Sequence, residues 1–140
     1  MKECQENRSS AVRVANYKSG GKEKYLYKYY YWDELKADGL DRYQVDGRLI
    51  LRSDGRGTFD AVVWTGHIHS GDTWHASFYA HDDNNDFLCT IKPRIDSRKT
   101  YGEHVSMHGE VFFPAEKFNQ LPNENPRQMY QVWSLNKNEN

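Results

Sequence analysis

The chain has 140 residues, enough for one domain around one core. Its 19 Lys and Arg against 20 Asp and Glu leave a net charge of -1, without the basic excess that nucleic-acid binders show. No apolar run reaches the roughly 18 residues of a membrane-spanning helix, so neither nucleic acid nor membrane is expected as a partner.

Residues 1–22 are polar and read as a disordered or loosely attached tail, with a short edge strand at Ala11–Tyr17. The tail lacks the apolar core of a secretory signal. The protein is therefore either cytoplasmic or secreted after removal of a signal peptide. Two cysteines, Cys4 and Cys89, are too few for a disulfide framework. They read as one exposed and one buried thiol, with a Cys4–Cys89 bridge open only to an exported protein.

A single β domain is expected over residues 23–135, followed by a polar tail at 136–140. Lys24–Trp32 (KYLYKYYYW) is a strand by its tyrosine density, with aromatics on both faces. Asp33–Gly39 reads as a turn. Arg42–Arg52 is a strand in which Gly47 marks a bulge, and Ser53–Gly57 is a turn. Thr58–Thr65 and Thr73–His81 alternate apolar and polar residues and read as a hairpin about Ser70-Gly71. That register sets Thr65 opposite Ala76, Val63 opposite Phe78 and Ala61 opposite Ala80, and makes one face apolar. Asp82–Asp86 is an Asx-rich turn. It lacks the Gly and the bidentate Glu of a calcium loop, since Phe87 and Pro93 stand there. Strands follow at Phe87–Lys92, Glu103–Phe113 and Gln128–Leu135, with a short helix at Pro114–Gln120.

The fold class that follows is all-β: an antiparallel meander of about seven strands and one short helix, forming a small barrel or a sandwich. Closure of an aromatic-rich sheet removes its exposed edges and tilts the choice slightly toward the barrel.

Two features point to function. The first is the histidine set His67, His69 and His75. His-x-His on a strand puts two imidazoles on one face about 7 Å apart. A divalent transition metal needs three or four donors at about 2.0–2.2 Å. His75 or His108 would have to supply the third, and the hairpin register turns His75 away from His67. His67 with Asp60 or Asp72 could also form an acid–base dyad, but no nucleophile motif or phosphate loop accompanies it. The second feature is the excess of Tyr and Trp, including Trp64, Trp74 and Tyr79 beside the histidine-rich tip. Rings with a hydrogen-bonding end suit small-ligand pockets and sugar stacking.

The segment Arg48–His75 (RLILRSDGRGTFDAVVWTGHIHSGDTWH), with Tyr31-Trp32-Asp33 before it and Phe112-Phe113-Pro114-Ala115 after, resembles a family of small uncharacterised bacterial proteins. The shared order is Leu-x-Leu, Ser-Asp-Gly, Gly-Thr-Phe and a Trp after a polar tip, over roughly residues 30–118. The resemblance implies a β-rich fold and no assigned activity, and it supplies no catalytic residue.

The leading expectation is a non-catalytic module that binds a small molecule or glycan through Trp64, Trp74, His67, His69 and Tyr79, with no obligatory cofactor. The alternatives are a metal-dependent enzyme centred on His67, His69 and His75, and a protein-binding inhibitor or immunity protein.

Overall fold

A computed structural model describes residues 9–18, 24–36, 42–66, 72–95, 99–100 and 102–137. Among them are eleven strands: β1 (Ser9–Ser10), β2 (Arg13–Lys18), β3 (Leu26–Lys36), β4 (Arg42–Arg52), β5 (Arg56–Thr65), β6 (Asp72–His81), β7 (Phe87–Ile91), β8 (Arg94–Ile95), β9 (Lys99–Thr100), β10 (His104–Phe112) and β11 (Met129–Lys137). One sheet has the order β2-β3-β4-β5-β10-β8, and the other the order β1-β11-β6-β7 with β9 also on β6. All pairings are antiparallel. Among the described residues helical structure is confined to two 3-10 segments, Ala115–Gln120 behind Pro114 and Pro126–Gln128.

The molecule is a sandwich of two sheets and does not close into a barrel. Rings from the two inner faces meet across the core. Trp32 lies 5.2 Å and Phe59 4.9 Å from Phe78, and Phe59 lies 5.9 Å from Trp133, centroid to centroid. Aromatic pairs at such distances add about 0.5–1.5 kcal/mol beyond the area they bury.

The expected β5–β6 hairpin does not form. β5 pairs with β4 and β10, whereas β6 pairs with β11, β7 and β9. The chain therefore leaves one sheet after Thr65 and joins the other at Asp72. Alternation could not separate these cases. Phe59, Ala61, Val63 and Thr65 are buried, as are Trp74, Ala76, Phe78 and Ala80, but the two sets face each other across the core.

Other local readings hold. β4 carries a register shift between Val45 and Arg48, with Asp46 at φ 54°, so the bulge sits at Asp46-Gly47. A Cβ on Gly47 would fall 2.4 Å from Gln44 Nε2. The bulge thus makes room for a buried amide. Gln44 Nε2 donates to Gln131 Oε1 at 3.1 Å, and Gln44 Oε1 accepts from Gln131 Nε2 at 2.7 Å and Trp133 Nε1 at 2.8 Å. This triad ties β4 to β11 through the core. The Asx turn also forms, with the Asp82 carboxylate accepting from the Asn84 and Asp86 amides, both at 2.9 Å.

Within the stretch read as a tail, residues 9–18 stitch one edge of the sandwich together. β1 lies on β11 and β2 on β3. Between them Ala11 N donates to Met129 O at 2.9 Å and Val12 N to Tyr31 O at 2.7 Å, with Ala11 buried. Over the sheets runs a strap made of the first 3-10 segment and the chain to Asn125. Phe118 and Leu121 anchor it in the core.

Candidate ligand-binding face

The strand β3 alternates strictly through its first half. Lys28, Tyr30 and Trp32 point inward and are buried; Tyr27, Tyr29 and Tyr31 lie on the outer face of the six-stranded sheet. The period of two puts a tyrosine about every 7 Å along that face. Their rings run nearly parallel, with centroids 6.2 Å apart for Tyr27–Tyr29 and 6.5 Å for Tyr29–Tyr31. Tyr17 of the edge strand β2 joins them at 6.3 and 6.2 Å from Tyr27 and Tyr29, and is 57% exposed.

Beside this row runs a groove of about 590 Å³ between β3, β4, β5 and β10. Tyr17, Tyr27 and Tyr29 form one wall, Arg56, Glu110 and Phe112 the other, and Ile50, Gly57 and Thr58 lie between. Gly57 keeps β4 and β5 close, since a Cβ there would stand 2.1 Å from Ile50 O. A second hollow of about 240 Å³ continues past Tyr29 and Ile50 to Arg13, Arg48, Asp33 and Asp46.

An ion pair and cation–ring contacts mark this face. Arg52 donates to both Asp54 oxygens, at 2.7 and 2.8 Å, and lies 4.4 Å over the Tyr25 ring. Those hydrogen bonds hold the Asp54 carboxyl below its usual range. Arg13 lies 4.4 Å over Tyr31 and Arg56 lies 5.9 Å over Phe112. Burial, and then the neighbouring phenols Tyr17, Tyr31 and Tyr27, raise the Tyr29 hydroxyl above its ordinary value. The Tyr29 phenol therefore stays a neutral donor at physiological pH.

The residues singled out from sequence are dispersed. Trp74 is buried and edge-on to Trp133 at 5.0 Å, so its ring belongs to the core. Trp64 sits half-exposed at the end of β5, stacked on Tyr43 at 5.2 Å, with His104 6.3 Å from it and Nε2 of His104 3.1 Å from the Tyr43 hydroxyl. Tyr79 is half-buried on β6, in the other sheet. His75 is exposed on the face opposite Trp74, and His67 and His69 lie outside the described residues. Among the described residues no group of three His, Cys, Asp or Glu could hold a metal ion. Asp60 pairs with His108, Nδ1 to Oδ1 at 2.5 Å, on an exposed part of β5 and β10. Cys89 is a free, half-buried thiol, and burial raises its pKa. No helix among the described residues is long and apolar enough to cross a membrane.

Sequence reasoning missed Tyr43 and His104 beside Trp64, and Tyr17, Arg52 and Phe112 beside the β3 tyrosines. Their partners lie on other strands, so only the pairing of strands reveals them. The odd-numbered tyrosines of β3 were the one local signal.

Residues 48–130 match the model of a family of unknown function, DUF6294. The chain belongs to that family. The DUF6294 match takes in β5 to β10 and the strap, whereas β2 and β3, with their tyrosines, lie outside the matched residues. No match was found among curated proteins or among solved structures.

Proposed function

We propose that this DUF6294 chain is a binding module without catalytic chemistry of its own, which holds a small molecule or glycan in the tyrosine-walled groove of the six-stranded sheet. One observation carries the reading: Tyr17, Tyr27 and Tyr29 gather on an outer face around a groove of about 590 Å³, with Tyr31 in the adjoining hollow, where core packing does not need them. Exposed rings with hydroxyl ends offer apolar contact and hydrogen bonds together, the combination that sugar rings and small aromatic ligands use. The near balance of Arg13, Arg48, Arg52 and Arg56 against Asp33, Asp46, Asp54 and Glu110 favours a largely uncharged ligand body over a polyanion. On this reading Trp74, a buried core ring, takes no part in binding.

Isothermal titration with chito-, cello- and xylohexaose tests the reading. The expected result is saturable binding to one of them, weakened at least tenfold by Tyr29→Ala, since Tyr29 is the tyrosine that lines both hollows. Equal affinity for wild type and variant, or no binding to any sugar of the panel at millimolar concentration, would contradict it.

A further inference from the structure

A separate pocket of about 390 Å³ lies where the strap meets the β2–β3 edge, lined by Asn16, Lys18, Leu26, Lys28, Phe118, Asn119 and Asn123 together with Tyr17 and Tyr27. Lys28 is only 5% exposed. Its Nζ donates to the carbonyls of Phe118 at 2.8 Å and Leu121 at 2.9 Å and lies 4.9 Å over the Phe118 ring. Among the described residues no carboxylate stands within ion-pair distance of it. Asp83, an acidic group whose charge reaches it, instead accepts from the backbone amides of Asn123, Glu124 and Asn125 at 3.2 to 3.4 Å. A buried cation with no direct ion-pair partner among the described residues is costly and uncommon. Burial lowers its pKa to about 8, against the raising influence of Asp83.

We infer that the strap pocket is a carboxylate-binding site in which the Lys28 ammonium supplies the compensating charge. The Lys28 ammonium is the buried cation that a carboxylate would compensate; the Lys18 ammonium adds a second positive charge and Asn16, Asn119 and Asn123 supply neutral polar groups at the mouth. Leu26 and Phe118 leave room for an apolar or sugar body. The carboxylate belongs either to a free small acid or to the acidic end of a chain lying along the groove, since Tyr17 and Tyr27 line both spaces. The site itself does not rest on the groove reading.

Acetate is the probe. In a protein labelled at lysine, the Lys28 side-chain resonance should shift saturably with sodium acetate at constant ionic strength, and not with sodium chloride. Asn119→Asp places a carboxylate at an exposed position of the mouth and should weaken the acetate response at least fivefold without unfolding the chain. A Lys28 resonance that stays still, moves no more than those of exposed lysines, or responds equally in Asn119→Asp would overturn the inference. A xylo-oligosaccharide ending in glucuronic acid separates the sources. Shifts at Lys28 and Tyr29 together assign the carboxylate to a groove-bound chain, and a shift at Lys28 alone assigns it to a free acid. Failure at Lys28 with binding intact at Tyr29 sinks this site and spares the groove.

Discussion

Two buried polar side chains, Lys28 and Gln44, do more to define this sandwich than their residue types suggest. An amine whose pKa falls from 10.5 to about 8 on folding is protonated in both states below pH 8. Between pH 8 and 10 the unfolded chain holds the proton that the folded chain has released, so stability rises with pH. Above pH 10 the Tyr30 phenol reverses this, because burial raises its pKa well above 10 and the folded chain keeps a proton the unfolded one loses. Urea titrations should show wild type gaining about 1–3 kcal/mol relative to Lys28→Met between pH 8 and 10. A flat difference over that window would contradict this reading of Lys28. The Gln44–Gln131–Trp133 triad makes a second prediction at this scale. Gln44→Leu leaves the Trp133 indole and the Gln131 amide unpaired in the core, and should cost about 1–3 kcal/mol. The Gln44→Leu, Gln131→Leu pair should cost less than the sum of the two single changes in chemical denaturation. Gln44 shows how little of this was legible in advance. The bulge beside it could be read from Gly47, but its partners at 131 and 133 belong to the opposite sheet.

At the scale of elements, the strap is held from both sheets. From β3, Lys28 donates to two of its carbonyls and the Tyr30 hydroxyl donates to Pro122 O at 2.7 Å. From the β6–β7 turn, Asp83 accepts from its amides. Asp83→Ala should speed hydrogen exchange at Asn123, Glu124 and Asn125 while leaving the β4 and β5 amides protected, since only the strap loses partners. Unchanged exchange at those three amides would show that Asp83 does not hold the strap. Single elements were readable because their signals are local: Arg42–Arg52 by alternation, Asp82–Asp86 by side chains that cap its own backbone, and Ala115–Gln120 by Pro114. β3 ran past its expected end through Asp33–Lys36, because pairing with β4 prevails over the turn-like DELK composition.

The whole molecule depends on where β5 hands the chain over to β6. A hairpin and a crossing between sheets bury the same residues, so period-two patterning is blind to the difference. Cross-strand nuclear Overhauser contacts decide it. Val63 should show backbone contacts to Gln44 and Val105, its partners in the sheet, and none to the backbone of Phe78. The candidate site follows the same rule. The tyrosines of β3 were visible in sequence, but the groove they wall exists only because β4, β5 and β10 lie beside them in register. Trp74 shows the converse, a ring conspicuous in sequence whose place is the core.

The groove is the centre of this account, and a ligand footprint tests it most directly. In a protein labelled at its aromatic rings and titrated with the best-binding hexaose, the ring signals of Tyr17, Tyr27 and Tyr29 should move together and saturate at one ratio. A footprint on Trp64, His67 and His69 that leaves the three tyrosines untouched would contradict the account and return the binding site to the 66–75 segment.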